Sequence, residues 1–345
     1  MSVVFMDSFD HYADILTKYD SNFQGAINTT PGKARTGIGC LEILSAAYGP
    51  GKTIRQVTDC LIADSFWCNV GSGGGNVVKV LMLGNEGGGA GYYQGECVGL
   101  VLNNDGSLSV EAGPSRGNFV WGTSAAGLYQ FSAYNALALR TTIGPAATIR
   151  VWCNGVEVLT LTGIDTRNLH DTSKHYVDAI SLLGPPGTGF NAYHDDLYVL
   201  DCSDAVNNQY LGALRIYAAV PDADGAVQWA PSVGASNFAN VDSIPPNQAT
   251  EFNSDGTSGD VDQYRHPLPA IPAGSQIFAV QHCQDLQVDS GALSVTSDVA
   301  GVANASPVAL SNGWKIYPWP YDTNPFTGSA WAASDFPLFA GPKVA

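Results

Sequence analysis

The chain has 345 residues, only 13% of them charged, and a formal net charge of -16. Its 15 lysines and arginines form no basic run, so the cations that neutralise phosphates are missing, which excludes non-specific DNA or RNA binding and sets the chain against an anionic membrane surface. Its 39 glycines and 19 prolines favour short strands joined by turns over helices with charged outer faces.

The opening stretch, MSVVFMDSFDHYADILTKY, carries neither a basic region nor the apolar run of a signal peptide, and no apolar run approaches the roughly 18 residues of a membrane span. The expectation is a protein made and folded in a cytoplasm, without membrane insertion. Residues 10–19 (DHYADILTKY) are the best helix candidate. Residues 46–53, AAYGPGKT, match a relaxed phosphate-binding loop, and LYVLD (197–201) resembles its acidic partner motif. That loop requires a following helix whose first amides hold the phosphates. Here TIRQVTDCLIADSFW follows, rich in β-branched residues and alternating as a strand does, and Pro50 removes an amide from the loop. The segment reads as a Gly-Pro-Gly hairpin turn between two early strands, with Lys52 as one of few positive charges.

Strand signals then accumulate: VVKVLMLG (77–84), CVGLVLN (97–103), SLSVEAG (107–113), TIRVWCNGVEVLTLTG (148–163) and NAYHDDLYVLD (191–201). NNDGS (103–107) and Asn154-Gly155 sit between alternating runs, as hairpin turns do. Ile149, Val151 and Cys153 fall on one face, with Thr148, Arg150 and Trp152 on the other. Strands without intervening amphipathic helices predict a sandwich or barrel. The chain changes character around 202–212. LRIYAAV (214–220) reads as a strand, 235–274 as a long polar, strand-poor stretch, and SQIFAVQHCQ (275–284) and GALSVT (291–296) as strands again. Prolines flank the WPY of 319–321, so a loop there could display Trp319 and Tyr321 for a glycan or subunit contact, against the plainer reading of core packing.

The chemistry-bearing residues are dispersed. Seven cysteines include no CxxC pair, which argues against a thiolate zinc site. They read as reduced, buried thiols, or as cross-links formed after release into an oxidising medium. The six glutamates, Glu42, Glu86, Glu96, Glu111, Glu157 and Glu251, show no same-face pairing of the glycosidase kind. Asp195 and Asp196 are neighbours on a predicted strand, where side chains point to opposite faces. One of them is expected to bind backbone or side-chain donors at a strand end, with calcium ligation as the alternative. Asp222 and Asp224 in DADG, and the run 253–262, space oxygens two residues apart as calcium loops do, but no glutamate closes a full loop. The histidines show no ligand-pair spacing.

Several segments carry a resemblance: MDSFDHY, RTGIGCLEI (35–43), RVWCNGVEVLTLTGIDT, NAYHDDLYVLDCSD, YLGALRIYAAVPDADGAVQWAPSVG and TNPFTGSAWAASDFPLFAG. Together they resemble a family of tailed-bacteriophage virion proteins that carry a concanavalin-A-like lectin/glucanase jelly roll. The resemblance implies an all-β chain: a jelly-roll sandwich over 1–202, with the Asp-Asp strand near 195–201 as its last strand, then a smaller β-sandwich over 203–345. It implies no enzyme and no cofactor, but a structural component of the virion, on the exterior of tail, neck, collar or tail fibre. Such a protein assembles in the host cytoplasm through contacts with other virion proteins and copies of itself. A carbohydrate-binding module contacting a host-surface glycan is the alternative, and a glycan hydrolase or lyase the third reading.

Overall fold

The hairpin at Asn154-Gly155 shows how local sequence sets the sheets. Both residues have positive φ, 50° and 85°, the twist of a type I′ turn that matches the right-handed twist of the strands it joins. On its first strand Ile149, Val151 and Cys153 are buried and Arg150 is exposed, as alternation requires. In this computed structural model, which describes residues 2–22, 24–44, 49–69, 78–85, 95–113, 116–185 and 191–345, the chain forms two compact units. One comprises Met1–Phe9 with Asp14–Ile216, the other Asp10–Ala13 with Tyr217–Ala345.

The strands of the first unit are β1 (Val3–Asp7), β2 (Gly25–Asn28), β3 (Cys40–Leu44), β4 (Gly51–Val57), β5 (Asp59–Cys68), β6 (Val78–Gly84), β7 (Glu96–Leu102), β8 (Leu108–Ala112), β9 (Val120–Thr123), β10 (Asn135–Thr142), β11 (Ala147–Cys153), β12 (Val156–Ile164), β13 (Val177–Leu182) and β14 (Asn191–Asp201). An eight-stranded sheet runs β12-β11-β10-β5-β14-β3-β2, with β1 also on β14; a six-stranded sheet runs β4-β13-β6-β7-β8-β9. Among the described residues all strand pairings are antiparallel, and the buried side chains of β5, β6, β7, β10 and β14, among them Ile62, Leu81, Leu100, Leu139 and Val199, supply the core.

The segment after AAYGPGKT is strand, β4 and β5, not helix, so the requirement of a phosphate-binding loop fails. The Gly-Pro-Gly turn is not a hairpin either: β3 lies in the larger sheet and β4 in the smaller, so the chain crosses between layers there. Residues 46–48 of that segment lie outside the described residues. Lys52 stands 3.5 Å from Asp20. The expected helix over 10–19 is reduced to one 3-10 turn, Ile15–Thr17, capped by the Asp14 side chain on Leu16 N. One turn leaves the rings of Phe9 and Tyr19 free to stack in the core, 6.3 Å apart.

The second unit contains β15 (Ala223–Val227), β16 (Ala230–Pro231), β17 (Asn253–Ser254), β18 (Asp262–His266), β19 (Val280–Leu286), β20 (Ser294–Val299), β21 (Val302–Ala303), β22 (Val308–Ala309), β23 (Lys315–Tyr321) and β24 (Leu338–Val344). A six-stranded sheet runs β15-β18-β24-β20-β21, with β22 also on β20, and β16-β17 and β19-β23 form two-stranded ribbons. Trp229, Trp319 and Trp331 pack with Leu286, Val295, Val299 and Val344 into its core. Two expectations fail here. The polar stretch 235–274 contains β18, a strand that pairs on both sides, and LRIYAAV forms no strand, because Ile216 N donates to the Asp196 side chain instead of a ladder. The fold class is all-β: two antiparallel sheets make a sandwich in the first unit, and the second unit is a smaller β-structure.

Candidate functional site

β14 runs through the middle of the larger sheet, between β5 and β3, and it carries His194, Asp195 and Asp196 in sequence. Its register against β5 slips between Asp195, opposite Ser65, and Tyr198, opposite Ala63. Asp196 takes up the slip with φ 53°, a left-handed conformation that Asp and Asn tolerate better than most residues. The alternation argument therefore fails at this pair: the bulge turns both carboxyls toward one segment, Arg35-Thr36.

Asp195 Oδ2 accepts from the backbone N–H of Arg35 (2.7 Å) and Thr36 (2.9 Å), and its Oδ1 accepts from Asp196 N (2.7 Å). Asp196 Oδ2 accepts from Arg35 Nη1 (2.7 Å) and Thr36 Oγ1 (3.1 Å), and its Oδ1 from Ile216 N (2.7 Å). Arg35 Nη1 also donates to Ser65 Oγ (2.6 Å) and Leu214 O (2.7 Å). Burial pushes both carboxyls up, Asp195 further because Asp196 stands beside it. The arrangement ties residues 35–36 and 214–216 to the central strand. It presents N–H groups and a guanidinium to the carboxyl oxygens, which is the wrong surrounding for a cation.

On the same strand His194 is fully buried, its Nε2 2.8 Å from Leu183 O and its Nδ1 2.5 Å from Asp64 Oδ2. Nε2–H donates to the carbonyl, and Nδ1 is hydrogen-bonded to the carboxyl. Burial raises Asp64 against the pull of that ring.

A second cluster lies on the six-stranded sheet. Lys79 Nζ on β6 stands 2.7 and 2.9 Å from the two oxygens of Glu96 on β7, and 3.5 Å from Glu111 on β8. The two glutamates come from adjacent strands, so a search for same-strand spacing misses them. The scarcity of lysine is the one sequence signal that points here. Gly99 makes the space: a Cβ at that position would stand 2.4 Å from Glu96 Oε1. Beyond it Asn103 donates to Ser107 and Ser109, and Ser109 meets Thr123 at 2.8 Å.

Burial outweighs Lys79 and pushes Glu96 up to about 7. The folded protein thus keeps a proton that the unfolded chain releases near the ordinary glutamate value, and stability declines as pH rises from 4.5 to about 7. Denaturant unfolding at pH 5 and pH 8 should show a loss on the order of 3 kcal/mol across that window from this group. Glu96→Gln should remove that part of the slope, leaving the contribution of the Asp195-Asp196 pair, which has the same sign and continues to higher pH. A wild-type slope that survives Glu96→Gln intact would contradict the assignment. Glu96 is fully enclosed, so what this cluster holds is a proton inside the fold, while Lys79 and Glu111 reach toward the surface.

In the second unit the weaker calcium candidates separate. Asp222 pairs with Arg265 at 2.7 and 3.0 Å. Asp224 accepts from Ser236 Oγ (2.8 Å) and Phe238 N (2.6 Å). The two carboxylates therefore serve different partners. Among the described residues no group of three His, Cys, Asp or Glu is arranged to hold a metal ion. Trp319 and Tyr321 do not lie on a displayed loop. They sit on β23, paired residue by residue with β19, and are 4% and 5% exposed. Pro318 and Pro320 alternate with the aromatic residues, and a two-stranded ribbon tolerates them because each strand has a free side needing no N–H. Six of the seven free cysteines are buried, and burial holds thiols such as Cys40 and Cys97 up at about 12, far from the thiolate that attacks or cross-links.

No sequence-family profile matches the chain, and no curated protein matches it, so the resemblance to phage virion proteins rests on the segments quoted above. Similar solved structures exist at low identity. The endo-β-1,4-glucuronan lyase of the fungus Trichoderma reesei is 15% identical over 57% of this chain and 94% of that one, with a TM-score of 0.40. The alginate lyase vAL-1 of a Chlorella virus is 10% identical over 58% of this chain and 99% of its own, at 0.42. The CBM2 module of the evolved Dit of Lactobacillus casei BL23 phage J-1 is 12% identical over 58% and 96%, at 0.38.

Proposed function

We propose that this chain is a non-enzymatic structural component of a tailed-phage virion, on the exterior of the tail, neck or tail fibre, working through contacts with copies of itself and other virion proteins. The observation that carries the reading is the edge of the first unit where β9 and β12 end their sheets. Phe119, just before β9, is 62% exposed and Val156, at the start of β12, 63%. Large apolar side chains left exposed beside sheet edges suit an interaction surface. The buried polar groups of β14 support the same reading, since Asp195, Asp196 and His194 are spent on the chain's own backbone and side chains. No cofactor enters this reading. Mass spectrometry and electron microscopy of purified particles should find the chain in fixed copy number at a symmetric position; its absence from particles rejects the reading.

The second reading is a glycan-binding module contacting the host surface. The polar row of Asn103, Ser109 and Thr123 beside Lys79 and Glu111 favours it, because such groups suit sugar hydroxyls. A glycan array with no hits rejects it.

A further inference from the structure

We propose that His266 and His282 form an acid-sensitive latch inside the second unit, which holds the β19-β23 ribbon on the six-stranded sheet while both rings are neutral and opens in mild acid. The latch goes beyond the assembly and glycan readings and depends on neither. His266 lies on β18 of the sheet and His282 on β19 of the ribbon, and the two rings meet edge to face, 5.9 Å apart. His282 Nδ1 stands 2.7 Å from Ser297 Oγ on β20, so one side chain ties ribbon to sheet. On the neighbouring strand Trp319 is the register partner of His282, and it packs in the core with Trp229, Trp331, Val295 and Val299.

The hydrogen bonds fix the state of the buried ring. Gln284 Nε2 donates to His282 Nδ1 at 3.2 Å, so Nδ1 is an acceptor and the neutral ring carries its proton on Nε2. A second proton at Nδ1 would set N–H against N–H at Gln284 and place a charge beside the His266 ring. The charged groups around the pair are already engaged. Asp222 faces His266, as do the carbonyls of Ala219 and Ala340, but Asp222 is held by Arg265 at 2.7 and 3.0 Å. On β20 Asp298 is turned to Gln263 and Gly301, on β19 Asp285 is turned to Gln248, and on β23 burial keeps the Tyr321 hydroxyl protonated. Burial therefore wins at both rings. It lowers His266, and with His266 alongside it pushes His282 down to about 3.

The pH dependence is opposite in sign to that of Glu96. A histidine held below its ordinary 6.5 takes up a proton when the unit opens, so its stabilising effect is complete above 6.5 and is lost as pH falls below it. Between pH 7.5 and 5.5 each such ring shifts the opening equilibrium about tenfold, and the pair on the order of a hundredfold. Asp262 and Asp285 of the same unit are raised by burial and act the other way, which returns part of that shift. Acidification thus loosens the second unit while Glu96 tightens the first.

Hydrogen exchange on the full chain, with each rate corrected for its intrinsic pH dependence, reads both movements. From pH 7.5 to 5.5 protection in Val280–Leu286 and Ser294–Val299 should fall at least tenfold, while protection in Val78–Gly84 and Glu96–Leu102 rises. The double substitution His266→Asn with His282→Asn leaves the carboxyls alone to act and should abolish or reverse the fall. His170→Gln, at an exposed histidine of the first unit, should leave the fall as in wild type. Should the double variant not fold, wild type decides alone, since in proton NMR the His282 ring of the folded chain should stay neutral down to pH 5. The latch is overturned if protection in β19 and β20 holds or rises on acidification, or if β6 and β7 loosen with them, which would make the loss general. It is equally overturned if the double variant loses protection as wild type does, if His170→Gln abolishes the fall, or if His282 titrates above pH 5 in the folded chain.

Discussion

Asp196→Ala should destabilise the first unit by about 3–5 kcal/mol, the range measured when one member of a buried, hydrogen-bonded charge network is removed. Three losses add. The Arg35 guanidinium loses its carboxylate partner at 2.7 Å, and Ile216 N and Thr36 Oγ1 lose their acceptor. Alanine also replaces a residue at φ 53°, where a non-glycine side chain costs roughly 1 kcal/mol or more. Asp196→Asn separates these effects. It tolerates the backbone and can still accept from Ile216, but it turns an amide toward Arg35 or loses that contact. The asparagine variant should therefore fall between wild type and alanine in urea unfolding. Hydrogen exchange should localise the damage: in Asp196→Ala the Ile216 amide should exchange far faster, while amides in the middle of β10 keep most of their protection. An alanine variant with the wild-type midpoint would mean that the network is ornamental and that the bulge is held by something else.

That network also marks the limit of what sequence could reveal. Strand periodicity placed β6, β7, β8, β11, β12 and β14 well, because each is a local alternation or a short apolar run bounded by turn residues. The Asn154-Gly155 hairpin was legible for the same reason. The bulge at Asp196 was not. A one-residue slip depends on what lies across the sheet, and in the sequence it looks like uninterrupted strand. Arg35 is separated from Asp196 by most of the first unit, so only the fold brings them together. The glutamate pair at Lys79 was hidden likewise, since β7 and β8 place Glu96 and Glu111 side by side from separate strands. LRIYAAV misled in the other direction: its composition is that of a strand, but its amide at Ile216 finds a carboxylate before it finds a ladder. The prolines around Trp319 misled most. In a central strand they would forbid a ladder, but β23 belongs to a two-stranded ribbon, where they do not.

Trp319→Ala is the second substitution with a large expected effect, about 3–5 kcal/mol, as for other buried tryptophans cut back to alanine. The ring packs in a core whose other aromatic members are Trp229, Tyr321 and Trp331. Trp331 Nε1 donates to Tyr321 O at 2.9 Å, so loss of the neighbouring ring disturbs a contact that fixes the end of β23. A domain has only about 5–15 kcal/mol of stability to lose, so the second unit should be largely unfolded at modest temperature or denaturant. Limited proteolysis should then cut within residues 217–345 while the first unit survives. Trp319→Phe keeps an aromatic ring in the core and should lose considerably less. The same pair of variants decides between core and display. A ring displayed for a glycan can be removed with little effect on unfolding and a large effect on binding; a ring 4% exposed acts through stability first, and any binding defect must track the fraction unfolded. Wild-type unfolding of Trp319→Ala with loss of saccharide binding would therefore return the ring to the surface and favour the glycan-binding reading over assembly.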